Sequence, residues 1–315
     1  MSADVHPQVR ALLEIALAGE DAPGPPDLEA ERAAYLQSAL ELGGAAEEVA
    51  RIEDVVIPDV VGGRMRARAY WPTVPAEALG VLVWLHGGGW YVGDIESFDR
   101  VTRQLANASG AVCLSVGYRL APEHPYPAAV HDARSAVAWT ANAGARQLGT
   151  DPARVVVGGD SAGANLAAVA ARHERDAVRA QLLVYPALDA AMDSDSYREF
   201  ADGALLGAKD MERCWSLYLD GADGTEPDAS PLKADDLAGV APAYIAVAGH
   251  DVLRDDGLRY AEALRAAGVD VTLERYDDMV HSFLRWGGVV DRARELVEAL
   301  GEYTRAVIGR DRDGA

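Results

Sequence analysis

The chain has 315 residues, half of them hydrophobic, which is enough to bury a sizeable core in one α/β domain with an insertion. Its formal net charge of −21 at pH 7 is expected to repel nucleic acid and anionic membrane surfaces, so neither is predicted as a partner. No basic stretch followed by an apolar core begins the chain, and no apolar run approaches the roughly 18 residues that cross a bilayer. Cys113 and Cys214 lack metal-ligand spacing and are expected to be reduced thiols, so we expect a cytoplasmic protein.

Two amphipathic helices are predicted near the N-terminus, over residues 5–17 and 28–42, with a Pro-rich and Gly-rich break between them. Neither helix is followed directly by a strand, so we expect residues 1–45 to lie outside the sheet as one part of a cap. A hairpin-like pair of strands follows at 52–57 and 65–71, the second alternating small or apolar residues with Arg.

Short apolar strands alternate with helical segments from residue 81 onward, a pattern typical of a mostly parallel sheet with helices on both faces. The predicted strands of this part are 81–85, 111–116, 155–157, 181–184, 244–247 and 271–276. The alternation stops over residues 189–239, which carry one predicted helix, 209–219, and polar loops. We expect residues 46–188 and 240–315 to form an α/β core, with residues 189–239 inserted as the second part of a helical cap over the active site.

A G-x-S-x-G motif, residues 159–163, lies between a predicted strand and a predicted helix. A sharp strand-to-helix turn needs small residues beside a nucleophile in a strained conformation, and Gly159 and Gly163 supply them. A serine hydroxyl is a weak nucleophile at its ordinary pKa, so Ser161 also needs a general base and a residue that orients the base. The motif therefore predicts a nucleophilic Ser161 whose hydroxyl the bend pushes out over the sheet.

Asp251 and His281 are the expected partners of Ser161, because in hydrolases of this strand–helix type the acid and the histidine follow the serine in that order. Asp251 comes directly after an apolar strand pattern, and His281 follows the last predicted strand after a short polar loop. Both positions are at the C-terminal ends of strands, where open parallel sheets place ligands. The sequence therefore predicts a Ser161–His281–Asp251 triad for acyl transfer.

Other ionisable residues compete for the same roles. His250 is the rival base, but an imidazole beside its own acid, Asp251, cannot easily reach Ser161. Asp255 and Asp256 are the rival acids, but they begin a predicted helix, where carboxylates favour the N-terminal dipole. The remaining histidines fall in predicted helices or loops that suit structural roles; they are His6, His86, His124, His131 and His173.

An oxyanion-binding loop is predicted at residues 86–89, which read HGGG and follow a near-continuous apolar strand. Three consecutive glycines remove side chains where the backbone must approach a substrate carbonyl. The N–H groups of Gly88, Gly89 and Ala162 are therefore the expected donors to the oxyanion. His86 is expected to brace this loop rather than to transfer protons.

Aromatic and apolar residues near these motifs are the candidate substrate contacts. Trp90 and Tyr91 follow the glycines directly, but aromatic residues there also pack under caps. In the predicted helix 209–219, one face carries Met211, Cys214, Trp215, Tyr218 and Leu219. This face either docks the cap onto the core or walls an acyl pocket, and Met211 and Trp215 are its candidate pocket residues.

The motifs taken together resemble those of one known family. Residues 86–90 read HGGGW, residues 159–163 read GDSAG, and Asp251 and His281 follow in order. This set resembles the hormone-sensitive-lipase-like carboxylesterases of the α/β-hydrolase superfamily. The similarity covers roughly residues 40–310. The family's usual Asp-Pro-Leu reads Asp-Val-Leu from Asp251, a departure that should not move the carboxylate.

This resemblance implies an α/β-hydrolase fold with a mostly parallel central sheet, helices on both faces and a helical cap. It also implies hydrolysis of carboxylic esters with short or medium acyl chains, without a metal or organic cofactor. A homodimer paired through the last predicted strand, 271–276, is a further expectation from the family. Two alternatives stay open: an amidase, deacetylase or lactonase on the same triad, or a non-catalytic small-molecule receptor, against which the presence of His281 argues.

Overall fold

The computed structural model describes residues 4–18, 27–58, 63–77, 79–203 and 205–310. Within these residues, eight strands form one sheet. The strands are β1 (Arg51–Pro58), β2 (Arg64–Trp71), β3 (Val81–Leu85), β4 (Val112–Gly117), β5 (Val155–Asp160), β6 (Val178–Val184), β7 (Ala243–His250) and β8 (Val271–Val280). Their order across the sheet is β1-β2-β4-β3-β5-β6-β7-β8, in which β2 pairs antiparallel with β1 and β4 and all other neighbours are parallel. The predicted α/β architecture with a mostly parallel sheet is confirmed.

Helices cover both faces of this sheet. In the described residues the α-helices are α1 (Pro7–Ala18), α2 (Leu28–Leu42), α3 (Asp99–Ser109), α4 (Ala128–Thr140), α5 (Ala143–Leu148), α6 (Ala162–His173), α7 (Asp195–Glu199), α8 (Ala208–Leu219), α9 (Arg254–Ala266) and α10 (Asp291–Gly309). Alternation along β3 places its side chains in two layers: Val83 and Leu85 belong to the apolar layer that includes α4, α6 and α9, whereas Leu82 and Trp84 belong to the layer that includes α3 and α10. No helix of this described part is both long enough and apolar enough to cross a membrane.

Both predicted N-terminal helices are present, and α2 has the predicted bounds. Asp27 caps α2 by accepting the N–H of Glu29 at 3.1 Å. The start of α1 lies against the end of β8, because the N–H of His6 donates to the carbonyl oxygen of Asp278 at 2.9 Å. The predicted break at residues 22–26 lies outside the described residues, as do the last five residues of the predicted core.

The chain between β6 and β7 leaves the sheet and contains α7 and α8. The predicted helix 209–219 matches α8 apart from one residue at its start. Its apolar face is buried, including Met211, Cys214, Trp215 and Tyr218. The five residues of α7 are too few for a helical period to be recognised, so the sequence pattern does not predict this helix.

Several strands are longer than predicted, and two of these, β5 and β8, bear on the active site. β5 continues to Asp160 because Gly159 pairs with Leu183 of β6, although glycines weaken a strand pattern. β8 continues to Val280, which pairs with His250 of β7 after an irregularity in the register. The polar loop expected before the histidine is therefore part of an edge strand, whose exposed face accepts polar residues.

Candidate active site

Ser161 occupies the turn between β5 and α6. Its φ of 55° and ψ of −120° lie in a region that L-residues rarely adopt, as a sharp strand-to-helix turn requires. A Cβ added at Gly159 or Gly163 would fall inside contact distance of the carbonyl oxygen of Leu85, so both positions require glycine. The N–H of Ser161 donates to the carbonyl oxygen of Val184 at 2.8 Å and ties the turn to β6.

His281 connects Ser161 to Asp251. It follows β8 directly, and Asp251 follows β7, so both side chains leave the carboxyl ends of neighbouring strands. The Nε2 atom of His281 lies 3.0 Å from Oγ of Ser161, and its Nδ1 atom lies 2.7 Å from Oδ2 of Asp251. With Asp251 ionised, its carboxylate only accepts, so Nδ1 carries the proton and Nε2 is free to accept the serine proton. All three residues are buried.

The competing ionisable residues make other contacts. The ring of His250 packs edge-on against Phe200, with ring centres 5.8 Å apart. Asp255 accepts a backbone N–H of α7 at 2.8 Å, and Asp256 accepts the N–H of Leu188 at 2.9 Å. Burial raises the pKa of Asp256 to about 8. These two carboxylates therefore hold the first part of the inserted segment.

The glycine-rich loop after β3 runs beside Ser161. Gly88 and Gly89 have φ values of 119° and 56°, which favour glycine. The backbone hydrogen bonds of this loop, within the described residues, do not use the N–H groups of Gly88 and Gly89. Ala162 is the first residue of α6, so its N–H has no acceptor within the helix. The two glycines, Ala162 and Ser161 line one cavity.

His86 is held as a neutral brace at the start of the same loop. Its Nδ1–H donates to the carbonyl oxygen of Gly87 at 2.8 Å, and its ring stacks on Tyr118 with centres 4.3 Å apart. The hydroxyl of Tyr118 donates to the carbonyl oxygen of His86 at 2.7 Å. Burial lowers the pKa of His86 to about 4, so the ring stays uncharged at neutral pH.

A cavity of about 210 Å³ opens beside Ser161 and His281. The inserted segment and α2 contribute walls to it, together with the glycine-rich loop and the start of α6. The lining residues that the sequence pattern does not single out are Tyr35, Val92, Ala187, Leu205, Leu206, Asp210 and Ser282. Asp210 is the one acidic side chain among the described lining residues, and none of them is Lys or Arg.

Three of the four candidate substrate contacts line this cavity: Trp90, Tyr91 and Met211. Trp215 does not. Its ring packs against that of Trp90 with centres 4.5 Å apart, and the fully buried Trp90 ring also stacks on Tyr218 at 4.4 Å. Its position agrees with the other role expected for this face of α8, which is docking of the helix onto the core.

Comparisons with known proteins agree with this geometry. A family described as having the alpha/beta hydrolase fold matches residues 82–285. Esterase LipI from Mycobacterium tuberculosis is 44% identical over 253 residues, which cover 78% of each chain. Ethyl acetate hydrolase from Pseudomonas putida is 34% identical over 316 residues, covering 95% of this chain and 99% of the relative.

Solved structures of esterases have the same fold over nearly the whole chain. A hyperthermophilic esterase from the archaeon Pyrobaculum calidifontis superposes with a TM-score of 0.90 at 37% identity, covering 96% of this chain and 98% of that one. A thermostable esterase from Pseudomonas putida ECU1011 superposes with a TM-score of 0.93 at 31% identity, covering 99% and 100%.

Proposed function

Because the chain belongs to the hormone-sensitive-lipase-like carboxylesterases of the α/β-hydrolase superfamily, we propose that Ser161, His281 and Asp251 are the residues with which it hydrolyses carboxylic esters. The observation that carries the proposal is the position of one imidazole, 3.0 Å from the serine oxygen and 2.7 Å from the carboxylate. A serine esterase needs this chain of contacts to generate its nucleophile.

Acylation begins when Ser161 attacks the ester carbonyl carbon. Nε2 of His281 accepts the serine proton, and Asp251 stabilises the imidazolium that forms. The carbonyl oxygen becomes an oxyanion, which the N–H groups of Gly88, Gly89 and Ala162 stabilise. His281 then gives its proton to the leaving alcohol as the C–O bond breaks.

Deacylation repeats the sequence with water as the nucleophile. His281 accepts a proton from the water as its oxygen attacks the acyl carbon of the acyl-enzyme. The second oxyanion collapses, Ser161 leaves with the proton from His281, and a carboxylic acid is released. Every proton transfer passes through the same imidazole, so one base serves both halves of the reaction.

The substrate class that fits is an ester with a short or medium acyl chain. The cavity of about 210 Å³ is small, and Trp90, Tyr91 and Met211 contribute to its walls. Each methylene buried against such walls gains about 0.8 kcal/mol until the chain meets the far side. A longer acyl chain would have to displace the walls or stay in water.

The residues that line the same cavity support the proposed two-part cap. Tyr35 of α2 and Leu206 and Met211 of the inserted segment line it, which supports residues 1–45 and 189–239 as the two parts of the cap. Residues 46–188 and 240–315 then form the catalytic core.

The homodimer and the cytoplasmic location are further parts of the proposal. β8 lies at one edge of the sheet, where its unpaired side suits a second copy of the strand. Cys113 and Cys214 are buried free thiols, as in proteins of a reducing compartment. A monomer in light scattering at micromolar concentration would contradict the dimer.

A fluorophosphonate probe tests the assignment of the nucleophile. The probe should label Ser161 in the peptide mass spectrum, and the labelled protein should no longer hydrolyse p-nitrophenyl butyrate. Ser161→Ala is the control and should stay unlabelled. Labelling of a different serine together with loss of activity would contradict the proposed triad.

A further inference from the structure

Tyr91 forms a wall of the active-site cavity and packs against the expected oxyanion loop. It lines the cavity together with Gly89 and Ser161. A Cβ added at Gly89 would lie 2.5 Å from Sγ of Cys214 and 3.1 Å from the Tyr91 ring, so this ring is one of two side chains packed over the glycine. A change in the position of Tyr91 would therefore reach the backbone of Gly89.

The backbone end of Tyr91 is held by α2. Nε of Arg32 donates to the carbonyl oxygen of Tyr91 at 2.8 Å. Arg32 is itself oriented by two hydrogen bonds to the carboxylate of Glu123, at 2.7 and 2.8 Å. This bidentate pairing fixes the plane of the guanidinium.

The hydroxyl end of Tyr91 is held by α8. Nη1 of Arg213 donates to the Tyr91 hydroxyl at 3.1 Å, and its guanidinium carbon lies 4.9 Å from the ring centre. The same guanidinium makes a bidentate pair with Glu31 of α2, at 2.7 and 2.8 Å. Glu31 and Arg213 have side-chain exposures of 28% and 37%, so solvent screens the pair only in part.

We propose that Arg213 is a positioning residue for ester hydrolysis, which fixes Tyr91 against Gly89 through its paired contact with Glu31. Together with Arg32, these residues form what we call the Tyr91 clamp (Glu31, Arg32 and Arg213). The proposal rests on the oxyanion role of Gly89 given above. In this proposal α2 and α8 hold the backbone of Gly89 in position and also cover the cavity.

The clamp should act on the chemical step more than on substrate binding. Oxyanion donors stabilise charge that develops in the transition state, so a small displacement of Gly89 lowers kcat while the ground state binds nearly as before. Packing defects elsewhere in the cap would instead lower stability or change KM. The split between kcat and KM therefore separates positioning from a purely structural role.

Charge reversal tests the clamp in the full-length enzyme with the neutral substrate p-nitrophenyl acetate. Arg213→Glu and Glu31→Arg should each lower kcat by about tenfold or more, with KM within about twofold. The double variant, which restores an opposite-charge pair, should recover most of the lost kcat. Arg292→Glu breaks the solvent-screened pairs of Arg292 with Glu295 and Asp278 and should leave kcat unchanged.

Two further variants keep the test decisive if charge reversal impairs folding. Arg213→Lys keeps the charge but not the bidentate fork, and should give an intermediate kcat. Tyr91→Phe keeps the ring but loses the hydroxyl acceptor, and should lower kcat alone but not further in the Arg213→Lys background. Single variants with wild-type kcat, or a double reversal no better than the worse single, would overturn the clamp. A wild-type enzyme whose Ser161 is not labelled would instead contradict the proposed triad.

Discussion

The carboxylate of Asp160 accepts the backbone N–H of Gly87 at 2.9 Å, so the residue before Ser161 holds the glycine-rich loop that follows β3. Asp160 is fully buried, and its second oxygen lies 3.5 Å from the hydroxyl of Tyr185. One side chain thus joins the turn of the expected nucleophile to the loop of the expected oxyanion donors. The two motifs cannot move independently.

Replacing Asp160 with Asn should change how stability depends on pH. Burial raises the pKa of Asp160 to about 6 from an ordinary value of 3.8, so the folded state holds a proton that the unfolded state has lost between these values. Stability of the wild type therefore falls as pH rises through this window, by about 3 kcal/mol in total from this group.

The Asn side chain keeps an acceptor for Gly87 but does not titrate. Relative to the wild type, Asp160→Asn should become more stable by about 3 kcal/mol between about pH 4 and about pH 8. Urea unfolding at the two pH values measures this difference. Parallel stability curves for the two proteins would show that Asp160 ionises as readily in the folded state as in the unfolded one.

At position 161, glycine should give a more stable protein than alanine because of the backbone conformation there. Ser161→Gly and Ser161→Ala both remove the hydroxyl, but only glycine adopts a φ of 55° without strain. The Gly variant should be more stable than the Ala variant by about 1 kcal/mol in urea unfolding. The same pair of substitutions at the exposed helical position Glu298 should show the opposite order. If Ser161→Ala proved at least as stable as Ser161→Gly, the turn would not be strained.

Removal of the triad residues should abolish turnover of p-nitrophenyl butyrate. Ser161→Ala and His281→Ala should each lower kcat by a factor of about 10⁴ or more, because the members of a triad act as a unit. Circular dichroism checks that each variant remains folded. His250→Ala is the matched control and should keep activity. Loss of activity in that control, with His281→Ala still active, would reverse the assignment of the base.

The catalytic efficiency should pass through a maximum as the acyl chain of the substrate lengthens. Across p-nitrophenyl esters, kcat/KM should rise by up to about fourfold per methylene and peak between roughly two and eight carbons. It should then fall steeply, because a cavity of about 210 Å³ is filled by a short chain and a longer one must displace the walls or stay in water. A preference for long-chain triglyceride emulsions over soluble butyrate esters would contradict a cavity that limits acyl length.

The charge of Asp210 should set a preference among alcohols of similar shape. Butyrylcholine and 3,3-dimethylbutyl butyrate differ in one positive charge, which a carboxylate at the cavity favours. The ratio of their kcat/KM values should fall by about threefold to tenfold in Asp210→Asn, which keeps an acceptor for the N–H of Gly207. The difference should shrink at high salt. An unchanged ratio would mean that the alcohol does not approach Asp210.

Features set by local backbone demands could be predicted from the sequence. Gly159 and Gly163 are required because a side chain at either position would collide with the end of β3. A G-x-S-x-G motif between a strand and a helix therefore predicts the turn at Ser161. The ends of strands likewise predict where Asp251 and His281 lie, because parallel strands place their carboxyl ends on one side. The alternation of strands and helices therefore predicts the sheet, and the order of the motifs predicts the residues brought together above it.

Features set by long-range docking could not be predicted. Glu31 and Arg213 are 182 residues apart and look like ordinary charged residues on helix surfaces until the two helices meet. The period of α8 predicts that Trp215 is buried, but it cannot say whether the ring faces substrate or Trp90. The full length of β8 could not be predicted either, because one face of an edge strand is exposed to water and does not show a continuous apolar pattern.

Ser161 and His281, the expected nucleophile and base, follow strands that are not neighbours in the sheet. Ser161 follows a central strand, flanked by β3 and β6, whereas His281 follows β8, which has a sheet neighbour on one side alone among the described strands. Edge strands open with less loss of pairing than central ones, and Ser161 and His281 are 120 positions apart in the chain. We therefore expect the contact between His281 and Ser161 to form late in folding, after the turn at Ser161 is buried, and to be lost early on heating.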